Sequence, residues 1–165
     1  MVKSVVVLGI GNDIRMDDGA GIRVVECLEQ DSNLQHLDIS FKYLNTGGFD
    51  ILDEINGYEI AIIVDAASMT DQNLKPGEFF IINDLKKYTK GRPVGVSSHG
   101  VGVLQILGYA EMGGYEVPRH IEVYGIQVKE TGYFSEELTP EVAEGVNKLV
   151  KVLKKRIMTL FSNDS

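Results

Sequence analysis

Two uninterrupted apolar runs constrain this chain most: Val5–Leu8 (VVVL) and Ile60–Val64 (IAIIV), both rich in β-branched residues. A run without polar alternation is the mark of a strand covered on both faces, and such strands belong to parallel sheets lying between helices. Helical spacing fills the intervals. It runs from Asp18 to Gln30, with Ile22, Val25 and Leu28, and from Val101 to Met112, with Val103, Leu104, Leu107 and Ala110 on one side. Ile39–Leu44 alternates Ile39, Phe41 and Tyr43 with Ser40 and Lys42, and so predicts a second strand. Thr46-Gly47-Gly48 breaks it, and Phe49–Ile55 suits a short helix.

Further along, Gly77 opens a more exposed strand through Ile82. Residues 83–96, with Lys86, Lys87, Lys90 and Arg92, read as a surface loop. Ile121–Val128 predicts a late strand. Thr139-Pro140-Glu141 places a cap residue before a first-turn proline, and Val142, Val146, Leu149, Val150 and Leu153 carry helical spacing on to about Phe161. The expectation is one α/β domain over residues 1–165, a mainly parallel central β-sheet sandwiched between α-helices, with a frayed tail at 162–165. There is no internal repeat and no linker.

Charge excludes some functions. Sixteen basic against 24 acidic residues give a net charge of −8. That argues against nucleic acid as a partner and leaves room for a protein with a basic segment. No apolar run is long enough to span a membrane. The N-terminal apolar stretch runs directly into a glycine turn and reads as a strand rather than an export signal. With a single cysteine, the expected compartment is the cytoplasm. That cysteine, Cys27, lies among helical apolar positions and is expected to be a buried structural thiol.

Gly9-Ile10-Gly11-Asn12 after a strand invites a dinucleotide reading, but the third glycine of that fingerprint is Ile14 here, so no nucleotide is expected. The glycines instead turn the chain, and the loop Asn12–Met16 delivers Asp17 and Asp18. Either acid could simply cap a helix start. Asp65 directly follows the apolar run of the third strand, where a carboxylate must bond backbone groups, pair with a cation or bind metal. His99 stands between Ser98 and Gly100 at the start of a helical pattern; His36 and His120 read as structural or surface residues. Asp18, Asp65 and His99 are separated by βαβ-repeat distances, so all three can reach one sheet edge. Two oxygen donors and an imidazole there suit zinc, nickel, cobalt, iron or manganese.

LGIGNDIRMDDGAG, the Asp65 of VDA and the His99 of SSHG together resemble the maturation endopeptidases of nickel–iron hydrogenases, over the chain to about residue 104. The late strand and C-terminal helix are also similar. The resemblance implies a sheet between helices and a protein partner, the hydrogenase large-subunit precursor. It also implies an activity: removal of that precursor's C-terminal extension after nickel insertion, with the cut after a basic residue. It places the metal-contacting and catalytic positions on Asp18, Asp65 and His99, with Asp17 and Asn12 in support. Thr46, Gly47 and Gly48 form a glycine turn where a substrate strand could approach closely.

The metal is then either nickel recognised in the substrate, the reading favoured here, or a resident divalent ion such as zinc. The stretch YLNTGGFD departs from the family pattern, with Tyr43 or Asn45 where many members carry an acid, and this leaves the general base unassigned. The alternative function is a nickel-dependent chaperone or sensor that binds the same precursor without cutting it. A monomer is slightly favoured.

Overall fold

The computed structural model describes residues 4–45, 48–68, 73–84 and 102–162. Among these, one sheet contains β1 (Val5–Ile10), β2 (Ile39–Leu44), β3 (Ile60–Ala67), β4 (Phe79–Ile82) and β5 (His120–Gln127), in the order β2-β1-β3-β5-β4. β1 runs parallel to β2 and β3, and β3 runs parallel to β5. Only β4, at the edge, is antiparallel. The α-helices are α1 (Ala20–Glu29), α2 (Asp50–Ile55), α3 (Val103–Gly113) and α4 (Pro140–Ser162), and a 3-10 turn over Met16–Gly19 precedes α1. The parallel α/β sandwich read from the sequence is the fold observed.

Every residue of β1 and β3 is buried, as their unbroken apolar character requires. Alternate side chains feed two cores. Val5, Val7, Ile62 and Val64 pack with Val24 and Leu28 of α1 and Leu149 and Leu153 of α4. Val6, Leu8 and Ile63 pack with Ile51 and Ile55 of α2 and Ile106 and Leu107 of α3. The edge strand β2 keeps its alternation. Ile39 and Phe41 join the α1–α4 core. Lys42 reaches the other way, donating to the Glu54 carbonyl at 3.0 Å, with its ammonium 5.1 Å from the centre of the Tyr58 ring.

The first helix starts later than its spacing predicts. The Asp18 carbonyl accepts the Asn12 N–H at 3.2 Å, so residues 16–19 close a tight 3-10 turn and α1 begins at Ala20. Two other expectations are corrected. Cys27 is exposed, not buried, because α1 turns Val24, Val25 and Leu28 toward the sheet and leaves Cys27 outside that stripe. Thr139 does not cap α4 with its hydroxyl; it donates that hydroxyl to Asp17. The last helix includes Ser162, while 163–165 and the basic stretch Lys86–Arg92 lie outside the described residues. No helix among the described residues is long and apolar enough to cross a membrane.

Where α1 crosses β1 and β3, Gly21 is the contact. A Cβ there would lie 2.5 Å from the carbonyl oxygens of both Ile10 and Val64. The missing side chain seats the start of α1 on the C-terminal ends of these two strands. Gly21→Ala is expected to lower the unfolding free energy by about 3 kcal/mol, since both obstructing atoms are backbone and cannot step aside; urea denaturation checks it.

A second prediction concerns acid stability. Lys154 of α4 holds Asp31, just past α1, at 2.6 Å, and Asn33 donates its amide and side-chain N–H groups to the same carboxylate. The lysine first, then Asn33, pull Asp31 from 3.8 down to about 2. A carboxyl lowered in the folded state adds stability above its unfolded pKa and loses it as pH falls toward the folded one. The midpoint of unfolding should therefore fall between about pH 4 and pH 2, and Asp31→Asn should flatten that segment of the curve.

Candidate active site at the switch between β1 and β3

The chain leaves β1 through Gly11, where a Cβ would stand 2.1 Å from the Asp18 carbonyl oxygen, so the loop can fold back on itself only with glycine here. Asn12 then organises the loop. Its Oδ1 accepts the Ile14 N–H at 3.2 Å and its carbonyl accepts the Arg15 N–H at 3.1 Å. Met16 adopts a left-handed conformation (φ 51°), unusual for a residue with a side chain. That turn places two consecutive carboxylates, both fully buried, at the C-terminal edge of the sheet.

The two acids do different things. Asp17 accepts the backbone N–H groups of Lys129 (3.0 Å), Glu130 (2.9 Å) and Thr139 (2.7 Å), together with the Thr139 hydroxyl. It caps no helix of its own; it ties the loop after β5 and the entrance to α4 to the loop after β1. Asp18 lies in the 3-10 turn, which packs on β3. Asp65 is buried on β3, opposite Ile10 of β1 and Gly125 of β5.

The sheet order reverses between β1 and β3, since the chain goes from β1 outward to β2 and then crosses back to β3. A reversal of this kind opens a crevice beyond the carboxyl ends of the strands. Asp18 and Asp65 stand at that position. Carboxylates are the donors that a hard or borderline divalent cation prefers.

His99, Thr46 and Gly47 lie outside the described residues. α3 begins a few residues after His99, and the Gly102 N–H at its start donates to Gln105 Oε1 at 3.3 Å. Gly48 is described; a Cβ there would meet nothing within 4 Å, and its carbonyl accepts the Ile51 N–H at 3.1 Å. Among the described residues no three His, Cys, Asp or Glu side chains form a metal-binding group. Tyr43 donates its hydroxyl to Glu29 at 2.5 Å, and burial, followed by that carboxylate, pushes its pKa well above the ordinary phenol value. It offers no carboxylate and no acid that ionises near neutral pH.

His36 and His120 are both exposed. His120 lines a cavity of about 480 Å³ with Arg119, Glu122 and Arg156, at the N-terminal end of β5 and so at the opposite edge of the sheet from the carboxylates. Within it Arg156 clasps buried Glu122 through Nε (2.9 Å) and a second nitrogen (2.5 Å), while Tyr124 donates to the other carboxylate oxygen at 2.7 Å. Neither the Arg156–Glu122 pair nor the partners of Asp17 had a local signal in the sequence, because each joins residues far apart in the chain.

The family model described as HycI: hydrogenase maturation protease matches residues 22–156. The chain belongs to the hydrogenase maturation protease family. Among curated relatives, hydrogenase expression/formation protein HupD of Thiocapsa roseopersicina is 29% identical, over 90% of this chain and 65% of its own length. HupD of Rhizobium leguminosarum bv. viciae is 28% identical, over 74% of this chain and 58% of its own length. The chain thus spans less than two-thirds of the length of these two relatives.

Solved structures in the family carry the same fold. The [NiFe] hydrogenase maturation protease HybD from Thermococcus kodakarensis superposes with a TM-score of 0.65 at 28% identity, covering 92% of this chain and 97% of its own. The hydrogenase maturating endopeptidase HybD from E. coli gives 0.73 at 22% identity, covering 94% and 92%. The family resemblance read from the aspartate and histidine motifs is the relationship found.

Removing the Asp17 carboxylate should loosen this edge as a unit. Asp17→Ala leaves the N–H groups of Lys129, Glu130 and Thr139 without their acceptor and is expected to cost about 3 kcal/mol of stability. Hydrogen exchange at those three amides should accelerate more than at amides of β1 and β3.

Proposed function

We propose that this protein is an endopeptidase that removes the C-terminal extension of a nickel–iron hydrogenase large-subunit precursor, cutting after a basic residue once nickel has been inserted. The observation that supports this reading is a pair of buried acids, Asp18 in the 3-10 turn after β1 and Asp65 on β3, on the two strands that flank the switch point of a chain from the hydrogenase maturation protease family. Relatives whose names describe maturation proteases and endopeptidases of hydrogenases support it.

In this reading Asp18, Asp65 and His99 are the residues that meet the metal. The nickel belongs to the substrate: the precursor brings it to the crevice, and these three side chains recognise it, so that only a loaded precursor is aligned for cleavage. The second form of the mechanism places a resident divalent ion such as zinc on the same residues, where it would polarise the scissile carbonyl and activate water. In either form Asp17 acts one step back, holding the 3-10 turn that presents Asp18, and Asn12 holds the loop before it. The Thr46-Gly47-Gly48 turn takes the substrate strand. In this reading the reaction takes place in the cytoplasm, with no nucleotide or nucleic acid involved, and the oligomeric state stays open with a monomer slightly favoured.

The test is a cleavage assay followed by intact mass. Nickel-loaded precursor should lose its tail with the wild-type protein, and nickel-free precursor should not. Asp65→Asn and His99→Ala should each reduce cleavage by at least about a hundredfold while the circular dichroism spectrum stays native. Cleavage of both forms alike would reject nickel recognition. Binding of the loaded precursor without any mass change would identify a nickel-dependent chaperone or sensor instead.

A further inference from the structure

The loop between β5 and α4 displays Tyr133 and Phe134 with 68% and 84% of their surfaces exposed, and Ile14 of the loop after β1 is 47% exposed. Scattered apolar residues on a surface need no explanation, but the two loops that carry these three are fastened to each other. Arg15 and Ser135 form a parallel β-bridge, with Met16 N–H donating to the Ser135 carbonyl at 2.8 Å and Ser135 N–H to the Ile14 carbonyl at 2.9 Å. Parallel pairing at that register sets Ile14 beside Phe134.

The surrounding backbone is fastened as well. Arg15 donates to the Thr131 carbonyl at 3.1 Å, Arg23 to the Glu136 carbonyl at 3.2 Å, and the Gly132 N–H to the Glu130 side chain at 2.6 Å. Asp17 anchors both ends of the segment, at Lys129–Glu130 and at Thr139. A loop held at this many points cannot fold its aromatic side chains back into the core. It presents them with most of the ordering entropy of docking already spent.

Position and charge indicate what docks. The two loops leave the C-terminal ends of β1 and β5, the strands on either side of β3, so the apolar group stands at the edge of the sheet that bears Asp18 and Asp65. Exposed Asp13, Glu136 and Glu137 flank it, on a chain of net charge −8. The nearby cations are engaged, Arg23 and Lys129 in ion pairs with Glu26 and Glu141 and Arg15 on the Thr131 carbonyl, so aromatic anchors beside these acids suit a partner that carries basic residues next to apolar ones. We propose that Ile14, Tyr133 and Phe134 form a docking platform on the rim of the Asp18–Asp65 crevice for an extended polypeptide segment with apolar side chains flanked by lysine or arginine. The proposal rests on the endopeptidase reading and adds to it the surface that selects the precursor.

The experiment compares wild type with the double variant Tyr133→Ser/Phe134→Ser on the intact nickel-loaded large-subunit precursor, measuring cleavage kinetics, direct binding and the protein's own sedimentation. Both side chains are largely exposed, so the double variant should melt as the wild type does. Its KM and dissociation constant should rise by about tenfold or more with little change in kcat. Phe134→Leu should restore much of the lost affinity, and Met158→Ser, at an exposed apolar position on α4, should match the wild type.

Unchanged KM and binding in the double variant, with the wild type still cutting, overturn the platform and leave the endopeptidase reading intact. Loss of binding in the double variant, with a wild type that binds but never cuts, supports the platform and overturns the endopeptidase. A wild type that neither binds nor cuts overturns both. A wild-type dimer that the double variant dissolves, with KM unchanged, assigns the surface to a second copy and overturns the proposal.

Discussion

The C-terminal edge of this molecule depends on one buried carboxylate and the donors that surround it. A fully buried aspartate is costly unless each oxygen is well bonded, and Asp17 meets that condition with three backbone N–H groups and a hydroxyl from the segment between β5 and α4. The bonds join segments on both sides of β3. They fix the turn that carries Asp18, the loop that carries Phe134 and the entrance to the longest helix. A charged acceptor holding neutral donors makes a stronger clasp than neutral pairs would, and no water need enter to complete it.

Below that edge the fold is arranged by close approach. With Gly21 packed on the Ile10 and Val64 carbonyls, α1 sits lower on the sheet than a helix with a side chain there could. This brings the 3-10 turn onto β3 and so brings Asp18 to the strand that carries Asp65. The crevice is a consequence of strand order, since the reversal between β1 and β3 leaves a gap that the crossing connections do not fill.

The opposite edge is built for stability. Arg156, Glu122 and Tyr124 form a bonded triad, and burial together with the Glu122 carboxylate raises the Tyr124 pKa above the ordinary phenol range. Its cavity holds Arg119 and His120, yet the acids Glu122 and Asp84 share it with the cations, so no single sign of charge prevails. The buried acids Asp18 and Asp65 and the Arg156–Glu122–Tyr124 triad thus lie at opposite ends of the sheet.

Much of this was legible in the sequence. Val5–Leu8 and Ile60–Val64 specify buried parallel strands because only a doubly covered strand tolerates unbroken apolar character. The alternation of β2 specifies an edge strand for the converse reason. Asp18 and Asp65 were visible as acids at the ends of such runs. What remained hidden was non-local. That Asp17 is taken up by the segment between β5 and α4, and that Thr139 serves Asp17 rather than its own helix, is decided by partners more than a hundred residues distant, that Cys27 is exposed by which side of α1 meets the sheet, and where α1 starts by a bond from Asn12 to the Asp18 carbonyl that closes the turn before it. A sequence fixes periodicity and local preference along the chain, whereas hydrogen-bond partners and close approaches between loops exist only once strand order has brought those loops together.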